Sequence, residues 1–172
     1  MELFASFMFV VWVLAMYYAP GYYGYYHLKK GNYRKALRAY QCIQPIYRYS
    51  GKEAEARICF CIGNCFMWLG ELEQSIAHFQ VSRELWEQCS RRYKYDYITL
   101  SNSISATLYA RLGDRKRAET HLEFASFTLR YNSKLLPDML TWRAYALLYL
   151  EDFEESETLC KRVLATSGLD TS

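Results

Sequence analysis

The stretch that decides the fold is LKKGNYRKAL (residues 28–37), in which Gly31 opens a short turn between two segments with helical apolar spacing. Three later stretches have the same form: MWLGELEQSI (67–76), YARLGDRKRAE (109–119) and LYLEDFEESE (148–157). Their turn positions, Gly70, Gly113 and Glu151, follow Gly31 at intervals of 39, 43 and 38 residues. Self-similarity at such a period is typical of stacked helical hairpins. The sequence therefore predicts an all-α chain of about four helix-turn-helix hairpins.

The residues on either side of the turns repeat as well. In the first helix of each hairpin, a small residue is followed three places later by an aromatic or apolar residue. In the second helix, a small residue is followed four places later by an aromatic or apolar residue. These residues are Tyr23, Gly24, His27, Ala36 and Tyr40; Ile62, Gly63, Phe66, Ser75 and Phe79; Ser105, Ala106, Tyr109, Ala118 and Leu122; and Arg143, Ala144, Leu147, Ser156 and Cys160. Small residues let paired helices approach closely, while the larger ones fill the space between hairpins.

On these residues the chain resembles the tetratricopeptide repeat family over about residues 17–168. The resemblance implies a short right-handed superhelical solenoid. We expect a repeat domain over 21–168 and a tail over 169–172, with Pro137 opening a helix after a break at Asn132 and Ser133. The expected helices lie near 20–30, 32–49, 53–69, 72–91, 95–112, 115–131, 137–149 and 152–166.

An uncharged segment precedes the first hairpin, with the sequence LFASFMFVVWVLAMYYA from Leu3 to Ala19. Its 17 residues reach the lower length limit of a membrane-spanning helix. The tyrosines that follow stand where an aromatic belt meets the headgroups. We therefore expect residues 1–20 to form an N-terminal transmembrane helix that acts as a signal anchor.

The charges on either side of this segment predict its orientation. Only Glu2 precedes it, whereas Lys29, Lys30, Arg34, Lys35 and Arg38 follow it. Since lysines and arginines near a membrane segment stay on the cytoplasmic side, we expect the N-terminus outside and the C-terminal domain in the cytoplasm. A cleaved signal peptide is disfavoured, because no Lys or Arg precedes the apolar run. The alternative is a soluble domain in which residues 3–19 form a buried capping helix.

The charge distribution is uneven rather than extreme. A net charge of +3 and a pI near 8.5 are too mild for a nucleic-acid-binding protein. The region 27–57 is basic, which suits proximity to anionic headgroups. The run EDFEESE (151–157) is acidic, and it suits either a solvated last hairpin or a docking face for a basic partner.

Residues with catalytic or metal-binding chemistry are scattered. Of the six cysteines, Cys59 and Cys61 would point to opposite sides of one helix, and no nearby histidine completes a zinc set with Cys65. Uneven cysteine spacing predicts reduced thiols rather than a disulfide framework. His27, His78 and His121 lie far apart in sequence. We therefore expect no metal, no cofactor and no enzymatic activity.

The family resemblance implies a concave groove lined by the first helix of each hairpin. Mapped onto this chain, its lining is Tyr25, Leu28 and Lys29; Arg57, Phe60, Asn64, Met67 and Trp68; Ser103, Thr107 and Arg111; and Asp138, Thr141, Tyr145 and Tyr149. Exposed aromatics, an amide and cations suit a peptide with apolar and acidic character.

The predicted function is therefore a membrane-anchored scaffold or adaptor that binds a protein or peptide at the cytoplasmic membrane surface. Its alternative is a soluble peptide-sensing regulator. The exposed end of a short solenoid also suits pairing with a second copy of the chain.

Overall fold

The computed structural model describes residues 20–90, 94–129 and 133–167. Within these ranges the chain is all-α, with eight helices and no strand. The helices are α1 (20–29, as far as it is described), α2 (Tyr33–Tyr49), α3 (Lys52–Leu69), α4 (Leu72–Glu87), α5 (Lys94–Arg111), α6 (Arg115–Thr128), α7 (Leu136–Tyr149) and α8 (Phe153–Ser167). The all-α prediction is confirmed for this part of the chain.

Three of the sequence predictions fall wholly or partly on residues that the structure does not describe, namely the anchor at 3–19, the break at Asn132 and Ser133, and the tail at 169–172. Among the helices of the three described ranges, none combines the length and apolar character needed to cross a bilayer.

Most helix bounds lie within two residues of those expected from sequence. The larger differences are at α4, which ends at Glu87 rather than near 91, and at α6, which ends at Thr128 rather than 131. At the end of α6 the backbone of Leu129 turns to an extended conformation, with ψ of 127°. Pro137 lies in the first turn of α7, where a proline costs no helical hydrogen bond.

The four aligned turns share one backbone geometry. Gly31, Gly70, Gly113 and Glu151 have φ values of 73°, 82°, 77° and 67°, all in the left-handed region. In each turn the following amide donates to the carbonyl five residues earlier: Asn32 to His27, Glu71 to Phe66, Asp114 to Tyr109 and Asp152 to Leu147, at 2.8 to 3.0 Å. These bonds form the Schellman motif that ends a helix. The four positions aligned in sequence are therefore equivalent in backbone structure.

The helix that follows a turn begins with matched caps in two cases. The carboxylate of Asp114 accepts a hydrogen bond of 3.0 Å from the amide of Arg117, and that of Asp152 accepts one of 3.2 Å from the amide of Glu155. Each aspartate thus satisfies an amide that the helix itself leaves without a partner. The caps fix the entry into α6 and α8.

The contacts divide the chain into two compact units, one up to His78 and the other from Phe79 onward, with the boundary inside α4. In the first unit α2 packs against α3 around a core of Ala36, Tyr40, Ile43, Ile58, Ile62, Cys65 and Phe66. The ring of Tyr40 lies against Gly24 of α1, where an added Cβ would be only 2.8 Å from its nearest atom. Ser75 of α4 donates a hydrogen bond of 2.9 Å to the carbonyl of Gly63 in α3.

In the second unit α5 packs against both α6 and α7, and α7 packs against α8. Twelve residues of α5 are buried, from Ile98 to Leu108 together with Ala110. One stripe of them is polar: Ser103 donates to the carbonyl of Thr99, and Thr107 donates to the carbonyl of Ser103. Thr107 also lies 2.7 Å from the carbonyl of Trp142 in α7. The hydroxyls of Ser103 and Thr107 are therefore hydrogen-bonded although they are buried, and the small size of these residues lets α5 and α7 approach closely.

Candidate functional site

The predicted groove residues of the first unit are mostly accessible. Tyr25, Lys29, Arg57 and Trp68 are exposed, and Phe60 and Asn64 are partly exposed. Met67 is different, because only 4% of it is accessible. Its predicted place in an open groove is therefore corrected: Met67 belongs to the buried side of α3.

Several accessible side chains of this unit are held by neighbours. The ammonium of Lys29 lies 5.5 Å from the ring centre of Tyr25. Trp68 stacks on Tyr33 with ring centres 5.7 Å apart and planes 11° from parallel. Such contacts fix ring orientation and restrict the rotamers that a partner would otherwise have to order.

Two polar groove residues of α3 also make local bonds. Arg57 pairs with Glu53 at 2.9 Å, one turn earlier in the same helix. The amide nitrogen of Asn64 donates to the carbonyl of Phe60 at 3.1 Å. This bond engages an N–H of the Asn64 amide, whereas the side-chain oxygen of Asn64 can act only as an acceptor.

For the second unit the groove prediction names Arg111, Tyr145 and Tyr149, and all three are exposed. It is corrected at Thr107 and Ser103, which are 3% and 0% accessible. Their hydroxyls are engaged in the bonds that join α5 to its own backbone and to α7. A partner therefore has no access to either side chain.

An apolar groove of about 300 Å³ runs between α7 and α8 beside Tyr145. It is lined by Thr141, Ala144, Tyr145, Leu148, Ser156, Cys160, Val163 and Leu164. Tyr145 and Leu148 stand at its edge with about half of each residue exposed. The groove thus offers an apolar floor with an aromatic rim, which suits an apolar peptide side chain.

A second cleft, of about 330 Å³, lies between α6, α7 and α8 and is charged. Its ionisable lining consists of Glu119, Glu123, Asp152 and Glu155 together with Arg115 and Arg143. Arg143 is only 9% accessible, and its guanidinium lies 4.0 Å from the carboxylate of Glu155. The acidic excess of this cleft favours a cationic group over an anionic one.

Arg143 occupies a repeat position in the fourth hairpin and is absent from the groove residues predicted from the sequence. The available signal was a charged residue at a position that carries an aliphatic one, Ile62, in the second hairpin. A buried arginine requires an opposite charge or hydrogen bonds, so this departure pointed to a polar neighbourhood on α7 and α8.

A buried polar cluster joins three helices of the second unit. The side-chain oxygen of Asn102 in α5 accepts a hydrogen bond of 2.9 Å from Arg83 in α4 and lies 2.9 Å from Nδ1 of His121 in α6. The Asn102 amide nitrogen donates to the carbonyl of Ile98, which fixes the orientation of its amide. Because that oxygen can only accept, Nδ1 of His121 is the donor in this contact.

The surroundings of His121 favour its neutral form. Burial, followed by the nearby cations Arg83 and Arg117, lowers the pKa of His121 to about 4. Its ring stacks on Tyr109 with centres 5.3 Å apart, and Arg117 lies over the same tyrosine ring at 4.7 Å. His121 therefore stays uncharged at neutral pH and serves as a hydrogen-bond donor inside the helix packing.

The six cysteines, all of which lie within the described ranges, are reduced thiols. Burial raises the pKa of Cys65 to about 12, and it raises that of Cys61 to about 11 despite a hydrogen bond with Tyr40 that acts the other way. Thiols with such pKa values are weak nucleophiles at neutral pH. Within the ranges that the structure describes, no group of three or more His, Cys, Asp or Glu residues is placed to hold a metal ion.

No family model matches this chain, and no curated protein matches it significantly.

Proposed function

We propose that the protein is a membrane-anchored scaffold or adaptor. In this proposal residues 1–20 hold the chain in the membrane, with the N-terminus outside. A tetratricopeptide-like solenoid over 21–168 then binds a protein or peptide at the cytoplasmic surface. Confinement to the membrane raises the effective concentration of partners in the same membrane.

The repeated turn is the observation that carries the proposal. Four left-handed turn residues close the same pattern of hydrogen bonds at the positions that the sequence aligns. The small residues that follow, Ala36, Ser75, Ala118 and Ser156, are all buried. This regularity favours a chain built from repeated hairpins, and such chains use their long exposed faces to bind partners.

The chemistry of the exposed faces favours a peptide partner. In the second unit Tyr145 and Tyr149 lie one turn apart on α7, and Tyr145 borders the apolar groove. In the first unit Trp68, Arg57 and Asn64 offer a ring, a cation and an acceptor on α3. Aromatic and arginine side chains contribute most of the binding energy in many interfaces. A peptide with apolar and acidic residues is complementary to the exposed side chains of α7 and to those of α3.

The proposal contains no catalytic step and no cofactor. The raised pKa values of the Cys61 and Cys65 thiols agree with packing roles rather than with nucleophilic ones.

Photocrosslinking in native membranes tests the partner-binding part of the proposal. A photoreactive residue replaces Leu148, which is exposed at the rim of the apolar groove. We expect one discrete adduct, which is lost or strongly reduced when Tyr145→Ala and Tyr149→Ala are combined. Asn64→Ala with Arg111→Ala should also weaken capture. The same adduct yield from both variants would contradict the proposal.

The matched control removes two exposed aromatics elsewhere in the second unit. Phe124 and Phe127 of α6 are 58% and 92% exposed, so the double variant Phe124→Ala, Phe127→Ala removes a comparable area. The adduct should persist in this control. Its loss there would mean that the crosslink reports general surface hydrophobicity.

The membrane part of the proposal has its own test. After carbonate extraction, an embedded chain stays with the membrane pellet, and a C-terminal reporter that matures only in the cytoplasm should be fluorescent. Release by carbonate would favour the second candidate function, a soluble regulator with residues 3–19 as a capping helix. A dark fusion would overturn the orientation.

A further inference from the structure

Helix α1 has two contrasting faces. Gly24 and His27 are buried on one side, where Gly24 meets the ring of Tyr40. The opposite side carries Tyr22, Tyr25, Tyr26 and Lys29, which we call the tyrosine face. Their spacing of three and four residues places all four side chains within one stripe of about 100°. The helix is therefore amphipathic, and its outer stripe consists of three aromatic residues and one lysine.

The three tyrosine rings of this stripe are well exposed. Tyr22 is 73% exposed, and Tyr25 and Tyr26 are 52% and 44% exposed. The lysines at the end of α1 fold back over two of them: Lys29 lies 5.5 Å from the Tyr25 ring centre and Lys30 lies 4.7 Å from that of Tyr26. Aromatic rings and ammonium groups thus form one continuous surface.

The charge of the first hairpin has one sign. Between Glu2 and Glu53 the sequence contains no Asp or Glu. Five exposed cations flank the Gly31 turn, namely Lys29, Lys30, Arg34, Lys35 and Arg38. Across the described ranges, no carboxylate lies within ion-pairing distance of these five. The hairpin therefore presents uncompensated positive charge next to exposed tyrosines.

We propose that the tyrosine face and the adjoining cations bind the headgroup layer of an anionic bilayer, with α1 lying along the membrane surface. Tyrosine rings favour the headgroup region, and lysines reach the lipid phosphates from the same depth. The described part of α1 is about 15 Å long, and its stripe follows the helix axis, so the whole face contacts the surface only when α1 lies flat.

An anionic membrane fits this face better than a protein partner for two reasons. A row of cations without any interspersed acid complements a surface of one sign, whereas protein surfaces carry both signs. The uncharged segment Leu3–Ala19 also ends directly before α1 in sequence, which brings the face to headgroup depth if that segment enters the bilayer. The inference goes beyond the proposed function, because the face would bind anionic lipid even without an inserted anchor.

Lysine footprinting of the full chain on vesicles tests this inference. The chain is mixed with vesicles of phosphatidylcholine, alone or with phosphatidylserine, and acylated with a water-soluble reagent before peptide mass spectrometry. We expect Lys29 and Lys30 to react about fivefold more slowly on the phosphatidylserine vesicles, since about 1 kcal/mol for each such cation near an anionic surface corresponds to about that factor. Lys116 and Lys161, on α6 and α8, should react equally on both.

Two variants identify the groups responsible. Arg34→Gln, Lys35→Gln and Arg38→Gln together should remove most of the protection at Lys29 and Lys30. Tyr22→Ser, Tyr25→Ser and Tyr26→Ser together should do the same. The charge-matched control Lys116→Gln, Lys134→Gln, Arg162→Gln should retain it. Helical circular dichroism of each variant verifies that the substituted chain is folded.

Three outcomes would overturn the inference. Equal reaction rates on the two vesicle types would remove the role of anionic lipid. Protection by inorganic phosphate in solution would show simple anion binding instead of a membrane surface. Protection without phosphatidylserine that grows with the protein-to-lipid ratio would assign the face to a second copy of the chain.

The proposed anchor is tested separately on the same samples. If carbonate releases the chain from phosphatidylcholine vesicles, the proposed anchor is wrong. Lysine protection on phosphatidylserine vesicles would then stand as an independent result. If the chain stays in the pellet after carbonate extraction but its lysines are not protected, the anchor is supported and the lipid-binding inference is wrong.

Discussion

The hydroxyl of Ser156 in α8 donates a hydrogen bond of 2.9 Å to the backbone carbonyl of Ala144 in α7. The equivalent bond in the second hairpin joins Ser75 to Gly63 at the same distance. In both cases a small residue on the second helix contacts a small residue on the first. The serine therefore combines close helix approach with a hydrogen bond that an alanine would not supply.

Replacing this serine should destabilise the protein modestly. We expect Ser156→Ala to lower the free energy of unfolding by about 1 kcal/mol, because a buried hydroxyl–carbonyl bond is lost without creating a large cavity. Ser75→Ala should cost about as much. Chemical denaturation followed by circular dichroism measures the change. Thr158→Ala is the control, since Thr158 is exposed and bonds only to its own helix.

The turn at Glu151 should be improved by glycine. Glu151 is the non-glycine residue with positive φ among those described, at 67°, and the left-handed region costs an L-residue about 1 kcal/mol or more. Glu151→Gly should therefore raise the free energy of unfolding by about that amount. Glu154→Gly, within the first turn of α8, should lower it by about 1 kcal/mol. A loss of stability in both variants would mean that Glu151 makes a compensating contact.

The close approach of Gly24 to Tyr40 predicts a strong difference between two glycines of the same helix. A methyl group at Gly24 would lie 2.8 Å from the buried Tyr40 ring, whereas at Gly21 its nearest neighbour would be 3.5 Å away. Gly24→Ala should therefore cost about 1–3 kcal/mol of unfolding free energy through overpacking. Gly21→Ala should be neutral, or should stabilise by up to about 1 kcal/mol through helix propensity. Thermal or urea unfolding of the two variants gives the comparison.

The neutral His121 predicts a loss of stability in mild acid. Its pKa is about 4 in the folded chain and near 6.5 when unfolded, so between these values the unfolded state binds more protons. The contribution is present in full above pH 6.5 and falls as the pH drops toward 4. Partial exposure of the ring reduces the expected size to about 1–2 kcal/mol.

The pH dependence is tested by comparing wild type with His121→Gln. The variant should show a shallower loss of unfolding free energy over this interval. His78 also has a pKa lowered by burial, so it contributes with the same sign and remains in both proteins. Parallel curves for the two proteins would contradict the assignment to His121.

Local rules explain what could be predicted from the sequence. Each of the useful signals spans no more than about ten residues of sequence: the turn glycines, the small residues beside them and the helical apolar spacing. These signals predict the helices and the alignment of Glu151 with Gly31. Burial of Ser103 and Thr107 was not predictable in this way, because it depends on the approach of α5 to α7. The Asn102–His121 contact joins residues 19 apart on different helices, so its partners are equally invisible to local patterns.

The polar stripe of α5 also bears on motion. Its hydroxyls bond to carbonyls of the same helix, while its outer atoms pack against α6 and α7, so no side of the helix between Ile98 and Leu108 faces water. Opening α5 requires the surrounding helices to separate first. Its backbone amides should therefore be among the last in the second unit to exchange with deuterium, long after those of α8.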